Sequence, residues 1–200
     1  MIRDTESGLL LTARQLVGRI ASASHVWVGA QHDNPEHSAL QLWLLHSLAE
    51  LRPQGSLLLE MLTSDQQARI DTLRSDIGHS LRPEDLPTAM HWQERWAWSL
   101  YGPLMRFALA QPYPLLAAGF VDEIDDQGIQ SLAQGLLAAP VPALLFADAR
   151  LARKDPSIAR HLPGLDGARR PVVLILARTG EDVHPQSADY VWFTAALSVD

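Results

Sequence analysis

Short, uninterrupted apolar runs recur along this chain, and they constrain its fold more than any other feature. The runs lie at His25–Gly29, Ser56–Met61, Pro114–Gly119, Val141–Asp148, Pro171–Arg178 and Tyr190–Ala195. Continuous apolar strands are typical of a parallel sheet that helices cover on both faces. The sequence therefore predicts a three-layer α/β fold with a mainly parallel sheet of about five or six strands, the last of them an edge strand.

Helical patterns separate these runs. The predicted helices are Ser7–Ala23, Glu36–Leu51, a helix that Thr63 or Ser64 caps and that runs through Leu73, Gln93–Ala110, and Asp126–Leu137. Pro103 predicts a kink or break in the aromatic-rich helix from Gln93. The segment Ala152–His161 is either helix or loop, and Asp76–Thr88 is predicted as the longest loop.

Composition limits the function classes. A chain of 200 residues with a net charge of -7 fits one domain over 1–200, and it gives no electrostatic support for binding nucleic acid. The absence of cysteine excludes disulfides and zinc–thiolate sites. No apolar run reaches the ~20 residues of a membrane span, and no signal-peptide core follows the polar amino terminus. We therefore expect a cytoplasmic protein.

The segment Val26–His37 runs from a strand into a polar turn that carries two histidines. Asn34 suits a helix cap and Pro35 suits the first helical position. His32 is thus predicted at the carboxyl end of a strand, where ligands gather in open α/β sheets. With Glu60 at the end of the next strand, His32 and His37 could form a three-ligand divalent metal site. The alternative is a hydrogen-bonded structural network.

A second candidate segment, Met90–Tyr101, holds three tryptophans, a histidine and a tyrosine. Aromatic density of this kind can pack a planar apolar ligand such as a porphyrin, and both Tyr and His can ligate haem iron. The alternative is core packing, because Trp92, Trp96 and Leu100 would share one face of a helix. Dinucleotide-binding, P-loop and α/β-hydrolase motifs are absent from the sequence.

Together these segments resemble the ChaN-like haem-binding family of the Tiki superfamily, in order and over nearly the whole chain. The segments that carry the resemblance are Val28–His37 with Leu40–Leu45, Leu59–Met61 with Asp65–Gln67, Trp96–Leu104 with Pro114–Ala118, and Ala188–Thr194. The resemblance implies an α/β fold, haem as ligand, a role in bacterial haem or iron uptake, and a dimer that binds haem between subunits. It also implies a relation to metal-dependent hydrolases that use a Gly-Glu-x-His motif.

The chain departs from the hydrolase pattern. Ala30 stands where that motif has Glu, Ser38 replaces a second histidine, and Arg150 replaces a late histidine. We therefore expect a non-enzymatic haem-binding protein, a homodimer that works with components of a haem-uptake system. The alternatives are a metal-dependent hydrolase that uses His32, His37 and Glu60, and a member that binds no ligand.

The resemblance also implies roles for single residues. Tyr101 matches the tyrosine of the family motif and is the first candidate for the axial ligand. The second-line ligands or hydrogen-bond partners are His32, His37 and His91. Arg95 and Arg106 are expected to pair with the haem propionates, and Trp98 to contact the ring. Glu60 is expected to be structural, held by His32, a backbone amide or an arginine.

Overall fold

The structure is a computed structural model that describes residues 1–76, 82–120, 126–154 and 170–195. Its strands are β1 (Ile2–Asp4), β2 (Leu10–Leu11), β3 (His25–Ala30), β4 (Ser56–Thr63), β5 (Leu115–Gly119), β6 (Ala143–Asp148), β7 (Val172–Arg178) and β8 (Tyr190–Thr194). Its helices are α1 (Ala13–Ile20), α2 (Pro35–Ala49), α3 (Gln67–Asp76), α4 (Leu86–Ala89), α5 (Trp98–Leu109), α6 (Asp126–Ala138) and α7 (Ala149–Ala152).

In the described part of the chain, the strands form one sheet in the order β2-β1-β8-β7-β3-β6-β4-β5. The six strands from β3 to β8 all pair in parallel, whereas β1 pairs antiparallel with both β2 and β8. The predicted count of five or six strands thus describes the parallel part of the sheet. The prediction of an edge strand at Tyr190–Ala195 is wrong, because β1 covers the outer side of β8.

Successive side chains of the central strands point to opposite faces of the sheet, and each face has its own core. Val26 and Val28 of β3 pack on one side with α1, α2 and α5. Trp27, between them in sequence, packs on the other side with α6 and α7. This arrangement confirms the predicted three-layer α/β fold.

Several predicted helix boundaries are wrong, and local hydrogen bonds explain the first of them. Thr12 and Gln15 form a reciprocal capping box, so α1 begins at Ala13 rather than at Ser7. The short strands β1 and β2 occupy the chain before it. Helix α5 begins at Trp98 rather than Gln93 and continues through Pro103 without a break.

The predicted loop at Asp76–Thr88 falls partly outside the described residues. Its described end carries a short 3-10 turn, Pro83–Asp85, and then α4. The segment Ala152–His161, predicted as helix or loop, lies largely outside the described residues, apart from the end of α7. None of the described helices combines the length and the apolarity that crossing a bilayer requires.

Candidate functional site

An open, aromatic cleft of about 430 Å³ lies between α4 and the start of α5. Its lining residues are Pro87, Thr88, His91, Trp92, Glu94, Trp96, Ala97 and Trp98. The Trp92 and Trp98 rings meet edge to face at 5.1 Å, and the His91 side chain is exposed to solvent. The cleft therefore combines an apolar wall with an accessible imidazole.

Side chains from β4 and the turn after it hold the cleft wall in place. The Gln66 amide donates to the carbonyl oxygens of Met90 and His91 at 3.0 and 2.8 Å. Gln93 donates to the Thr63 hydroxyl at 3.0 Å. His91 has a φ of 52°, which is a left-handed conformation. The two hydrogen bonds from Gln66 to the Met90 and His91 carbonyls stabilise it. The backbone that carries the His91 imidazole is thus tied to the turn after β4.

This geometry corrects the helical interpretation of the aromatic segment. Trp92 and Trp96 lie in a non-helical turn, where the Trp92 indole N–H donates to the Trp96 carbonyl at 2.7 Å. They do not share a helical face with Leu100. The segment nevertheless contributes to the core, because Trp96 is 6% exposed and packs edge to face on Tyr101.

Tyr101 lies beneath the cleft rather than in it. The residue is 1% exposed, and its hydroxyl donates to the His32 carbonyl at 3.1 Å. Burial raises the pKa of Tyr101 well above its ordinary value, and the nearby carboxylate of Glu60 raises it further. In this conformation the phenolate form that ferric haem prefers is therefore disfavoured.

His32, Glu60 and Asp148 converge near the carboxyl ends of β3, β4 and β6, which are neighbours in the sheet, although β4 continues for three residues beyond Glu60. The Nε2 atom of His32 lies 3.2 Å from Asp148 Oδ2 and 3.8 Å from Glu60 Oε2. The imidazole also packs edge to face on Trp96 at 4.3 Å, and its side chain is 28% exposed. This cluster, the His32–Glu60–Asp148 cluster, thus lies directly behind one wall of the cleft.

The pKa values of the two carboxyl groups in the cluster are shifted in opposite directions. Burial raises the pKa of Glu60, against the opposing effects of His32 and of the Asp148 backbone N–H, which donates to the Glu60 carboxylate. Burial alone would raise the pKa of Asp148 too. Hydrogen bonds from His32 and Arg150 outweigh that effect and hold the pKa of Asp148 well below its ordinary value.

His37 does not join this cluster. Its Nδ1 accepts a hydrogen bond from the Gln31 backbone N–H at 3.0 Å, so the ring proton is on Nε2. Nε2 lies 3.1 Å from the Thr194 hydroxyl and donates to it. Both nitrogens are thus engaged, and residue His37 is 0% exposed. Among the described residues, no group of three or more His, Asp or Glu is arranged to hold a metal ion.

The two candidate arginines differ in their surroundings. Arg95 donates to the Phe120 carbonyl at 2.9 Å, and its guanidinium lies 5.6 Å from the centre of a Trp96 ring. Arg106 is exposed on α5. It makes no hydrogen bond or ion pair with any residue in the described part of the chain.

Sequence reasoning did not identify the Asp148–His32 pair or Trp96 as the residue that joins the cluster to the cleft. The available signal was the carboxyl end of the apolar run that finishes at Asp148. That signal places Asp148 at the carboxyl end of a strand but does not identify its partner, because the sequence does not reveal that β6 lies between β3 and β4.

Comparisons with known proteins bear on both fold and family. A solved structure of ChaN from Campylobacter jejuni, described with cofacial haem binding, matches with a TM-score of 0.79 at 16% identity, over 95% of this chain and 94% of that chain. The type III effector HopBA1 matches with a TM-score of 0.58 at 14% identity, over 90% of each chain. At such identities these likenesses concern the fold alone. No curated protein matches the chain.

A family model described as haem-binding uptake, Tiki superfamily, ChaN matches residues 16–161. Because that match spans well over half of the 200 residues, the chain belongs to the ChaN haem-binding uptake family of the Tiki superfamily.

Proposed function

We propose that this chain binds haem on the aromatic cleft and serves haem uptake without catalysing a reaction. The observation that carries the proposal is the accessible imidazole of His91 beside the tryptophan wall of Trp92 and Trp98. Family membership supports haem as the ligand. Ferric haem held there would supply an iron centre, and the chain would supply its ligand, its apolar seat and its counter-charges.

The cleft has the size and the chemistry for this ligand. Small-molecule sites are typically about 300–1,000 Å³, and the cleft of about 430 Å³ falls in that range. Indole rings suit a flat, apolar macrocycle. Arg106 is an exposed guanidinium with no partner in the described chain, as recognition of a propionate requires. The residues present therefore fit haem.

We assign the iron ligand to His91 ahead of Tyr101. An axial ligand must reach the iron, and Tyr101 is 1% exposed with its hydroxyl already donating to His32. His32 is the second candidate, because its side chain is 28% exposed and lies against Trp96. Both ring nitrogens of His37 are already in hydrogen bonds, so neither is available to the iron.

We also propose that a second copy of the chain covers the outer face of the haem. The cleft is open and can cover only one face of a planar ligand. The related ChaN of Campylobacter jejuni is described with cofacial haem binding, which agrees with two haem-bearing surfaces meeting. Light scattering with and without haem tests this step, since the mass should double only when haem is present.

Haem titration followed by the Soret band tests the ligand assignment. Wild type should give a saturable, shifted Soret band, and His91→Ala should change its position and weaken binding. Tyr101→Phe should leave the band unchanged. His184→Ala, which removes an exposed histidine far along the chain, is the matched control.

The outcomes separate the claims. If wild type gives no saturable Soret band, the proposal that the chain binds haem is refuted. A band that His91→Ala leaves intact and Tyr101→Phe changes would return the ligand role to Tyr101.

A further inference from the structure

Gly102 occupies a point on α5 where a Cβ atom would press against two neighbouring side chains. A Cβ atom built there would lie 3.0 Å from Trp98 Cε2 and 3.1 Å from Trp98 Nε1. It would also lie 3.2 Å from an Nη atom of Arg106. Residues four apart share one face of a helix, so Trp98, Gly102 and Arg106 form a stripe along α5. The space above Gly102 is shared by an indole and a guanidinium.

The guanidinium of Arg106 lies close to the edge of the cleft. Long helical side chains lean toward the amino end of their helix, so Arg106 reaches back over Gly102 toward Trp98. Trp98 is itself a wall of the cleft. Arg95, the other arginine near this wall, already donates to the Phe120 carbonyl. Arg106 is thus the better placed of the two for an incoming anion.

We propose that Gly102 and Arg106 together make the cleft selective for planar ligands that carry a carboxylate. Gly102 is the positioning residue, because its missing Cβ lets the indole and the guanidinium lie side by side. Arg106 is the recognition residue, because a guanidinium binds a carboxylate through two parallel hydrogen bonds. This inference rests on the proposed haem function and names the ligand chemistry that the same site selects.

Adding one methyl group at Gly102 should therefore change selectivity. The new Cβ would lie closer to Trp98 and Arg106 than ordinary van der Waals contact, so one of the two must move by a few tenths of an ångström and the indole shifts relative to the guanidinium. Glycine-to-alanine changes in a helix otherwise favour folding, so loss of stability is not the expected cause. Gly135 in α6 provides the matched control, because nothing lies within 4 Å of a Cβ built there.

The test compares haem, whose two propionates are charged carboxylates, with haem dimethyl ester, in which both are neutral methyl esters. Both are titrated into wild type, Gly102→Ala, Arg106→Gln, Gly135→Ala and Arg14→Gln, the last removing an exposed arginine from α1. Wild type and the two controls should prefer haem by roughly tenfold. Arg106→Gln should bind both ligands within roughly twofold of each other, and Gly102→Ala should show a smaller preference for haem than wild type.

A second readout needs no haem. In the apo protein, Gly102→Ala should shift the indole N–H resonance of Trp98, whereas Gly135→Ala should not. If wild type binds haem but shows no preference over the ester, or if both site variants keep the preference, the selectivity proposal is overturned while haem binding stands. If wild type binds neither porphyrin, the proposed function fails and this inference fails with it.

Discussion

His37 makes stability fall as the solution becomes acidic, and the effect can be calculated from its surroundings. The side chain is buried, and its two ring nitrogens bond to the Gln31 backbone and the Thr194 hydroxyl in the neutral form. Burial, together with the positive charge of Arg178, lowers the pKa of His37 from 6.5 to about 4. A proton added to Nδ1 would also remove the acceptor that Gln31 uses.

The sign follows from comparing the two states. As the pH falls below 6.5, His37 takes up a proton in the unfolded chain, whereas in the folded protein it stays neutral until a pH of about 4. The unfolded state therefore binds more protons across this window, and the free energy of unfolding falls by about 1.4 kcal/mol per pH unit. The loss attributable to His37 is about 2 kcal/mol by pH 5 and about 3 kcal/mol once the pH is below 4.

The assay is urea unfolding, followed by circular dichroism, at about pH 7.5 and about pH 5. Wild type should lose about 2 kcal/mol more than His37→Gln between these conditions, because glutamine keeps an acceptor for Gln31 and does not titrate. His184→Gln, at an exposed position, should behave like wild type. Equal pH dependence in wild type and His37→Gln would refute the reasoning, whatever the absolute stabilities.

Two further predictions concern the neighbouring strands β4 and β5. Gly119→Ala should lower the free energy of unfolding by about 1–3 kcal/mol or more, because a Cβ there would lie 2.0 Å from the Glu60 carbonyl oxygen. Gly135→Ala, measured in the same urea series, should raise it by about 0.5–1 kcal/mol. Glu60→Gln should stay folded at neutral pH, since its amide oxygen can still accept from Asp148 N–H. Neither wild type nor this variant should show metal-stimulated esterase or peptidase activity. Metal-dependent turnover that vanishes in Glu60→Gln would instead support the hydrolase alternative.

The parallel part of the fold could be predicted because each strand carries its own signal. Val141–Asp148 and Pro171–Arg178 are continuous apolar runs, and β6 and β7 begin within two residues of those limits. The strands β1 and β2 carry no such signal. Leu10–Leu11 is too short to show a period, and β1 is stabilised by pairing with β8 at the far end of the chain. Local pattern cannot report a contact of that kind.

The candidate site was predictable in composition but not in arrangement. The aromatic density of Met90–Tyr101 indicated a haem surface, and the family resemblance is confirmed. The helical spacing of Trp92 and Trp96 was misleading because Gln66 and Gln93 tie that segment to the end of β4. Hydrogen bonds between segments distant in sequence thus overrode the local periodicity.

The burial of Tyr101 could not be predicted from its motif. A tyrosine on a helix face is equally compatible with a ligand and with a core residue. What distinguishes them is the His32 carbonyl, which accepts a hydrogen bond from the Tyr101 hydroxyl, and the Trp96 ring, which packs edge to face against the Tyr101 ring. Both partners depend on how α5 packs against the end of β3.

The six tryptophans provide the most direct test of where the ligand lies. Trp92, Trp96 and Trp98 line the cleft, whereas Trp27, Trp43 and Trp192 lie elsewhere. Gallium protoporphyrin, a diamagnetic analogue of ferric haem, can be titrated into ¹⁵N-labelled protein while the indole N–H resonances are followed. If haem binds in the cleft, ring currents should shift the first three resonances and leave the other three unchanged. Shifts confined to Trp43 and Trp192 would contradict the proposal.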